Sequence, residues 1–511
     1  MIFPTPCPPP SAWTIKEPTF NPERIWELGG DLIKTARKRR VIRADDFFIK
    51  AFCLLPGPAS RIRDPARKEW IISERLAERG LTPRPAAYGI YGRWSYFAAR
   101  AASGKELGRY LEQDLADLSR KEIREFEKIF SRFLLDIAEA GVFQPDFHLD
   151  NVFYQEETRR LLLLDLHRAR LYDRPLTHLE IMEQLIYVMP PFVDMLSGRN
   201  LIETASFLSK RVPALKKRDK RYEIQELSFS NMRSHWMKKE KRKVFKEHLV
   251  SRANGLLKLR TSSTDRSVLD QLGNLINKPE TWSRQAGSSL KILKDSRHTL
   301  CIWALIEQRP FFIKAYRSSG HLKSFSYLFR TPRAIKTWQL SYRLSYRNIP
   351  VVLPLAAVQA KNPWNKLYGA VIFPWIKEAE DTKKLIRMAL EREPDNHILK
   401  ELALFVWQMH EKGVVHGDCK ITNFIYGPRS HKKFMIFDLD STQILKRAKD
   451  KMRISDIACL CRSLEKLAPD SDITKSFLNH YARFHLPWHH KWMDIAEKVR
   501  QLNLKKALAK E

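Results

Sequence analysis

The chain has 511 residues and a formal net charge of +33, with 44% hydrophobic residues. This length predicts two domains of roughly 200–250 residues each, and the hydrophobic fraction excludes wholesale disorder. The charge points to a polyanionic partner, whether nucleic acid, an anionic membrane surface or an anionic substrate. Six scattered cysteines (Cys7, Cys53, Cys301, Cys419, Cys459, Cys461) lack metal-ligand spacing, and Cys459-x-Cys461 reads as core packing, which fits a reduced, cytosolic compartment. No apolar run approaches the roughly 20 residues that span a bilayer. The N-terminal MIFPTPCPPP lacks the basic and apolar regions of a signal peptide. A soluble or peripheral protein is expected.

In chain order, residues 1–23 read as a proline-rich tail with poor order. Residues 24–260 are expected as a first domain. Within it, Phe47-Phe48-Ile49-Lys50-Ala51-Phe52 reads as a strand carrying Lys50. A helix is predicted over 65–80, starting at Pro65 and stopping at Gly80, with Trp70, Ile71, Leu76 and Ala77 as its apolar stripe. Glu69 lies on that helix. A strand lysine paired with a helix glutamate holds ATP phosphates in kinases; taken singly, the two would read as an edge-strand cation and a surface charge. Residues 104–140 read as helical and lead into GVFQPDFHLDNVF. There Asp146 is followed five residues later by Asn151, and a polar turn and Leu161–Leu164 run into Asp165.

Residues 176–260 read as largely helical, with a break at Pro190-Pro191. Residues 210–260 hold seventeen Lys and Arg against five Asp and Glu. A solvated helix face would explain one such run, but a chain-wide excess favours a polyanion. Aromatics do not interleave with these basic residues as a base-stacking platform requires, so a membrane surface ranks above nucleic acid. The Ser-, Thr- and Gly-rich stretch 261–288 is the expected linker.

Residues 289–511 are expected as a second domain. Lys314 sits in the strand FFIKAY, and the helix after Pro332 carries Thr337 where Glu69 stood. A helix over 395–413 precedes VVHGDCKITNFIYGPRSHKKFMIFDLDST, the stretch on which the functional reading turns. Asp418 is followed five residues later by Asn423, and the apolar strand at 434–437 runs into Asp438. Transfer of a phosphoryl group asks little covalent chemistry of the protein. It asks for one carboxylate to hold the attacking hydroxyl, and for an amide and a second carboxylate to hold Mg²⁺ on the phosphates. Asp418, Asn423 and Asp438 fit those roles, and Lys420 can reach the transferred phosphate. Further on, Asp456 is positioned to brace the loop through backbone hydrogen bonds or to act as an N-terminal helix charge. The last helix, 489–508, is basic.

The chain repeats itself. Asp146, Asn151 and Asp165 match Asp418, Asn423 and Asp438 in order and spacing. FFIKAF at 47–52 returns as FFIKAY, and PARKEW at 65–70 as PRAIKTW at 332–338, each about 270 residues on. A repeat of this size means two copies of one fold rather than a solenoid.

HGDCKITNF…FMIFDLDST and PDFHLDNVF…LLLLDLHRAR resemble the lipopolysaccharide core kinases, the Kdo and heptose kinases, within the protein-kinase-like superfamily. DLHRAR at 165–170 is more like the heptose kinases, and the D-x-D at 438–440 more like the Kdo kinases. PARKEWIISERLAERGLTPRPAAYG resembles the family's N-lobe helix and turn, as does NIPVVLPLA in the second copy. The resemblance spans about 24–260 and 289–505. It implies an α+β chain of two tandem bilobal domains, each with a small β-rich N-lobe and a helical C-lobe, with ATP and Mg²⁺ in the cleft. The implied acceptor is a sugar hydroxyl of the lipopolysaccharide core, reached from the cytoplasmic face of the inner membrane. Carried over, Asp146 and Asp418 orient the hydroxyl; Asn151 with Asp165, and Asn423 with Asp438, ligate the metal; Lys50 and Lys314 hold the α- and β-phosphates.

Three departures stand out. Gln144 replaces the loop histidine in the first copy, Thr337 replaces the glutamate in the second, and neither copy has a Gly-x-Gly-x-x-Gly loop. Two other readings remain open: a kinase of another acceptor, and a partly degenerate pair with a binding or regulatory role.

Overall fold

The computed structural model describes residues 3–508 except 37, 58–62, 114–119, 196–211, 247–248, 254–255, 261–289, 318–330, 361–366, 377, 393–396, 428–433 and 469–471. The chain divides into two compact units, Met1–Asn231 and Met232–Glu511. Both are mixed α and β, with antiparallel sheets.

The first unit is built on six strands: β1 (Trp13–Ile15), β2 (Asp31–Ala36), β3 (Arg39–Ala44), β4 (Phe47–Cys53), β5 (Pro85–Tyr91) and β6 (Trp94–Arg100). Their order is β1-β5-β6-β4-β3-β2. Period-two alternation sends Ile42, Ala44, Phe47, Ile49, Ala51 and Ala98 to one core, while Phe52, Phe97 and Ala99 face the helix side with Trp70. The N-terminal segment departs from expectation. It is no loose tail: Trp13–Ile15 pairs with Ala87–Gly89, and Phe3, Trp13 and Phe20 are buried in the first core with Ile25 of helix α1 (Pro22–Leu28). Its aromatic residues carry enough apolar area to offset the ordering cost that the prolines already reduce.

Helix α2 (Pro65–Ala77) starts where predicted, capped by Asp64, which accepts from Ala66 N at 2.9 Å. Ile72, not Ile71, completes its buried face, and Glu69 lies on that face. Residues 104–140 are not one helix. Strand β7 (Lys105–Glu106) and helix α3 (Leu107–Gln113) precede helix α4 (Arg120–Glu139).

Beyond α4 come short strands β8 (Val142–Phe143), β9 (Val152–Gln155), β10 (Arg160–Leu163) and β11 (Arg170–Leu171). β9 and β10 pair so that Asn151 and Leu164 flank one end. Helix α5 (His178–Met195) runs through Pro190 and Pro191, where a break was expected. Two N–H donors are lost, and the remaining bonds of five helical turns keep the register. Helix α6 (Arg218–Lys246) leads out of the first unit into the second.

The second unit holds a seven-stranded sheet in the order β12-β13-β17-β18-β16-β15-β14. These are β12 (Leu249–Ala253), β13 (Leu256–Arg260), β14 (Leu290–Asp295), β15 (Thr299–Ile306), β16 (Arg309–Arg317), β17 (Ala356–Ala360) and β18 (Leu367–Pro374). Strands β12 and β13, at positions expected within the first domain, pair with each other and extend this sheet, because β13 pairs with β17. The expected linker 261–288 lies outside the described residues.

Helix α7 (Arg333–Tyr346) buries Ala334, Ile335 and Trp338 against the sheet. The C-terminal half of α6 also packs into this unit. Arg233 donates to Glu411 O at 2.6 Å, and buried Glu240 accepts from Arg343 and Arg347. Part of the basic 210–260 region is therefore structural rather than a solvated face. The helical part comprises α8 (Glu378–Arg392), α9 (His397–Glu411), α10 (Asp450–Glu465), α11 (Ile473–Phe484) and α12 (Trp492–Leu508). Short strands β19 (Val414–Val415), β20 (Phe424–Tyr426), β21 (Phe434–Ile436) and β22 (Gln443–Ile444) frame the loop between α9 and α10. Among the described residues no helix is long and apolar enough to cross a membrane.

Candidate active site

In the second unit, the loop after β19 is fixed from below. Buried His416 and exposed Gly417 donate their backbone N–H groups to the two oxygens of Asp456 on α10, at 2.7 and 2.8 Å. Of the two sequence readings of Asp456, the structure shows the brace. Gly417 has φ +78°, and a Cβ there would lie 2.6 Å from Ser441 O, so the sharp turn and close approach both require glycine. His416 Nε2 lies 3.2 Å from Phe437 O, tying the loop to the strand before Asp438.

Asn423 stands just before β20 and Asp438 two residues past β21. Because these strands pair Phe424 with Ile436, both side chains emerge at one end of the hairpin. Asn423 Nδ2 donates to Asp418 O at 2.8 Å and reaches Asp418 Oδ2 at 3.3 Å. Lys420 Nζ lies 2.9 Å from Asp418 Oδ2, and this hydrogen bond raises the lysine pKa. Asp438 adopts a left-handed backbone, φ +58°, a conformation rare outside glycine and common at functional sites.

Lys314 projects from β16, buried, with Nζ 2.5 Å from Asp438 Oδ1 and 2.9 Å from Asp440 Oδ2. Burial alone would lower its pKa; the charges of Asp440 and Asp438 override that and raise it. Asp440 also accepts from Arg333 at 2.6 Å, Tyr316 at 2.9 Å and Thr337 at 3.2 Å. Burial pushes its carboxyl up, but Lys314 and Arg333 hold it below the usual carboxylate range. The glutamate missing at position 337 thus has a substitute. Asp440, on the loop, supplies the carboxylate that Lys314 needs.

These groups line a cavity of about 640 Å³ that includes Lys314, Asp418, Asn423, Asp438 and Asp440, with Phe373 and Trp375 on an apolar wall. That volume suits a nucleotide-sized ligand. Asn423 and Asp438 offer hard oxygen donors of the kind Mg²⁺ takes. Asp438 is 38% exposed and its described contact engages one oxygen, so a divalent ion fits this pair.

In the first unit the predicted residues also converge. Lys50 Nζ lies 2.5 Å from Glu69 Oε1 and 3.2 Å from Asp165 Oδ1. Glu69 accepts from Leu166 N as well. Asn151 Nδ2 donates to Asp146 O at 3.1 Å, and Arg168 holds the Asp146 carboxylate at 3.1 Å. Gln144 is fully buried and donates Nε2 to Asp165 O, while its backbone N–H donates to Gln184 Oε1 and its backbone carbonyl accepts from Gln184 Nε2. Asp165 has φ +59°.

The sequence reading missed Arg39, which grips Asp165 through both guanidinium nitrogens. In so basic a chain one strand arginine carries no signal of its own. Burial would raise the Asp165 pKa; the hydrogen bond from His167 and the charges of Lys50 and Arg39 hold it far below the carboxylate range.

Residues 310–482 match the model of the lipopolysaccharide kinase (Kdo/WaaP) family. The matched stretch lies within the second unit and contains Lys314, Asp418, Asn423 and Asp438. A solved structure titled "WaaP in complex with acyl carrier protein" is similar at 19% identity with a TM-score of 0.32, covering 45% of this chain and 96% of that one. No curated protein sequence matches. With this family match, the chain is an enzyme, a kinase.

Proposed function

We propose that the protein is an ATP-dependent phosphotransferase that phosphorylates a sugar hydroxyl, on Kdo or heptose, of the lipopolysaccharide inner core. The observation that carries this reading is the convergence of Lys314, Asp418, Asn423 and Asp438 on one cavity, inside the stretch that matches a lipopolysaccharide kinase family. Asp418 orients the acceptor hydroxyl and takes its proton; Lys420, already against that carboxylate, meets the transferred phosphoryl group. Lys314, held by Asp438 and Asp440, anchors the nucleotide phosphates. Asn423 and Asp438 are the residues that would hold Mg²⁺, which supplies charge neutralisation on the phosphates when bound. The apolar wall at Phe373 and Trp375 accepts the base.

We read the first unit as a second copy of the same bilobal fold. Its support is the repeated spacing, the strand lysine and the left-handed aspartate. The net charge of +33 supports peripheral attachment to the anionic cytoplasmic surface of the inner membrane, where a phosphorylated glycolipid presents its core. Transfer of labelled phosphate from ATP to purified lipopolysaccharide core tests the function. Asp418→Ala is expected to lower turnover by roughly 10²–10⁴. Wild type that binds ATP yet labels no glycolipid would exclude the acceptor.

A further inference from the structure

The two units place different groups at matching register positions. In the first, Lys50 pairs across the sheet with Val41, and two residues on, Phe52 pairs with Arg39. In the second, Lys314 pairs with Cys301, and Tyr316 with Thr299. An arginine thus stands where the second unit has a threonine. The same exchange continues past the metal-type aspartate: His167 follows Asp165 by two residues, whereas Asp440 follows Asp438.

Arg39 binds both oxygens of Asp165, Nη1 to Oδ2 at 3.1 Å and Nη2 to Oδ1 at 2.8 Å. Lys50 and His167 Nδ1 add contacts to Oδ1 at 3.2 and 2.8 Å. The arginine is not a loose arm. Its guanidinium lies 5.5 Å over the Phe52 ring, whose centroid is also 5.5 Å from that of His167 in a tilted contact. The Arg39 and Asp165 side chains are only 21% and 18% exposed.

A divalent cation needs a free carboxylate oxygen, and Asp438 keeps one because its lysine engages Oδ1 alone. At Asp165 both oxygens are engaged by a planar fork matched to them, and Arg39 and Lys50 would repel an incoming ion at short range. Glu69, Asp165 and His167 do bring potential ligand atoms within 4.8 Å of one another. However, Lys50 already holds Glu69, and the pair of cations holds Asp165. The Mg²⁺ that suits Asn423 and Asp438 therefore does not fit Asn151 and Asp165.

We infer that the first unit excludes divalent metal, with the Arg39 guanidinium standing on Asp165 where the ion would be, and that phosphate transfer arises at Asp418 and not at Asp146. This inference rests on the reading of the second unit as a metal–nucleotide site.

The experiment is Mn²⁺ binding to the full-length chain, followed by electron paramagnetic resonance with a non-hydrolysable ATP analogue present. One ion per chain is expected, lost in Asp438→Asn and retained in Asp165→Asn. Arg39→Ala, or Arg39→Gln if the alanine variant does not fold, is expected to add a second ion; circular dichroism checks each variant's fold. Two ions in wild type, one ion that disappears with Asp165→Asn, or no added ion without Arg39 would each overturn the inference. Wild type binding no Mn²⁺ would instead sink the proposed function, and the exclusion would then be judged on the Arg39 variant's gain.

Discussion

At the scale of single residues, the two units solve one problem in two ways. A largely enclosed lysine beside a metal-type aspartate needs a second carboxylate. Glu69 supplies it from a helix in the first unit and Asp440 from the loop in the second. Thr337 in the sequence looks like a lost partner; its substitute lies 103 residues away, and only the folded chain brings the two together. The D-x-D motif was legible, but not its role. Asp440→Ala leaves Lys314, Arg333 and Tyr316 without their common acceptor, and losing one partner of a buried ion pair costs on the order of 3–5 kcal/mol. Part of that cost falls on nucleotide binding, so KM for ATP is expected to rise at least roughly tenfold. Adding Thr337→Glu in that background returns the carboxylate to the helix and should recover part of the loss. Steady-state kinetics of both variants checks this; a double variant no better than Asp440→Ala would refute the exchange.

At the scale of elements, the loop between α9 and α10 is held by a buried polar chain. Arg453 on α10 donates to Tyr481 Oη on α11, which lies 2.8 Å from His410 Nδ1; His410 Nε2 faces Asp456, which carries the loop amides. With His410 neutral, Nδ1 accepting and Nε2 donating, every link is satisfied. Burial holds His410 and His485 below the usual histidine range and His480 down to about 4. The folded state favours their neutral forms. The unfolded chain therefore takes up more protons once pH falls below about 6.5, and stability falls with it. Asp456 is pushed up by burial but held low overall by His410 and the loop amide. Its contribution persists above the unfolded value of roughly 4 and is lost as pH falls through its lower folded value. The unfolding temperature is thus expected to be level above pH 7, to decline from about 6.5, and to drop more steeply below about 4. Thermal melts across that range decide it, and a flat profile between pH 7 and 5 would contradict the neutral-histidine chain. The sequence placed α9 well, since that helix buries a long apolar face. It failed at α5, because a proline pair signals a break locally while a long helix tolerates it.

At the scale of the whole molecule, the chain divides into two compact units at Asn231 and Met232, a boundary that nothing in the sequence pattern marks. Residues 249–260 read as the end of a basic helical segment; backbone pairing with β17, which leaves little trace in side-chain pattern, assigns β13 and its partner β12 to the second sheet. The excess charge was legible, yet its use was mixed. Arg233, Arg343 and Arg347 make internal contacts, while Lys216, Lys217, Lys220 and Lys238 are exposed. Exposed basic residues near an anionic leaflet contribute up to about 1 kcal/mol each, and that attraction is screened as the Debye length shrinks from about 10 Å at 0.1 M salt to about 3 Å at 1 M. The full-length protein is therefore expected to co-sediment with vesicles containing anionic lipid at low salt, to release at high salt, and to ignore neutral vesicles. Retention at 1 M salt would replace this electrostatic attachment with apolar insertion. Binding to duplex DNA in preference to anionic vesicles would reverse the ranking of polyanionic partners, because the same charge would then serve a phosphate backbone rather than a membrane surface.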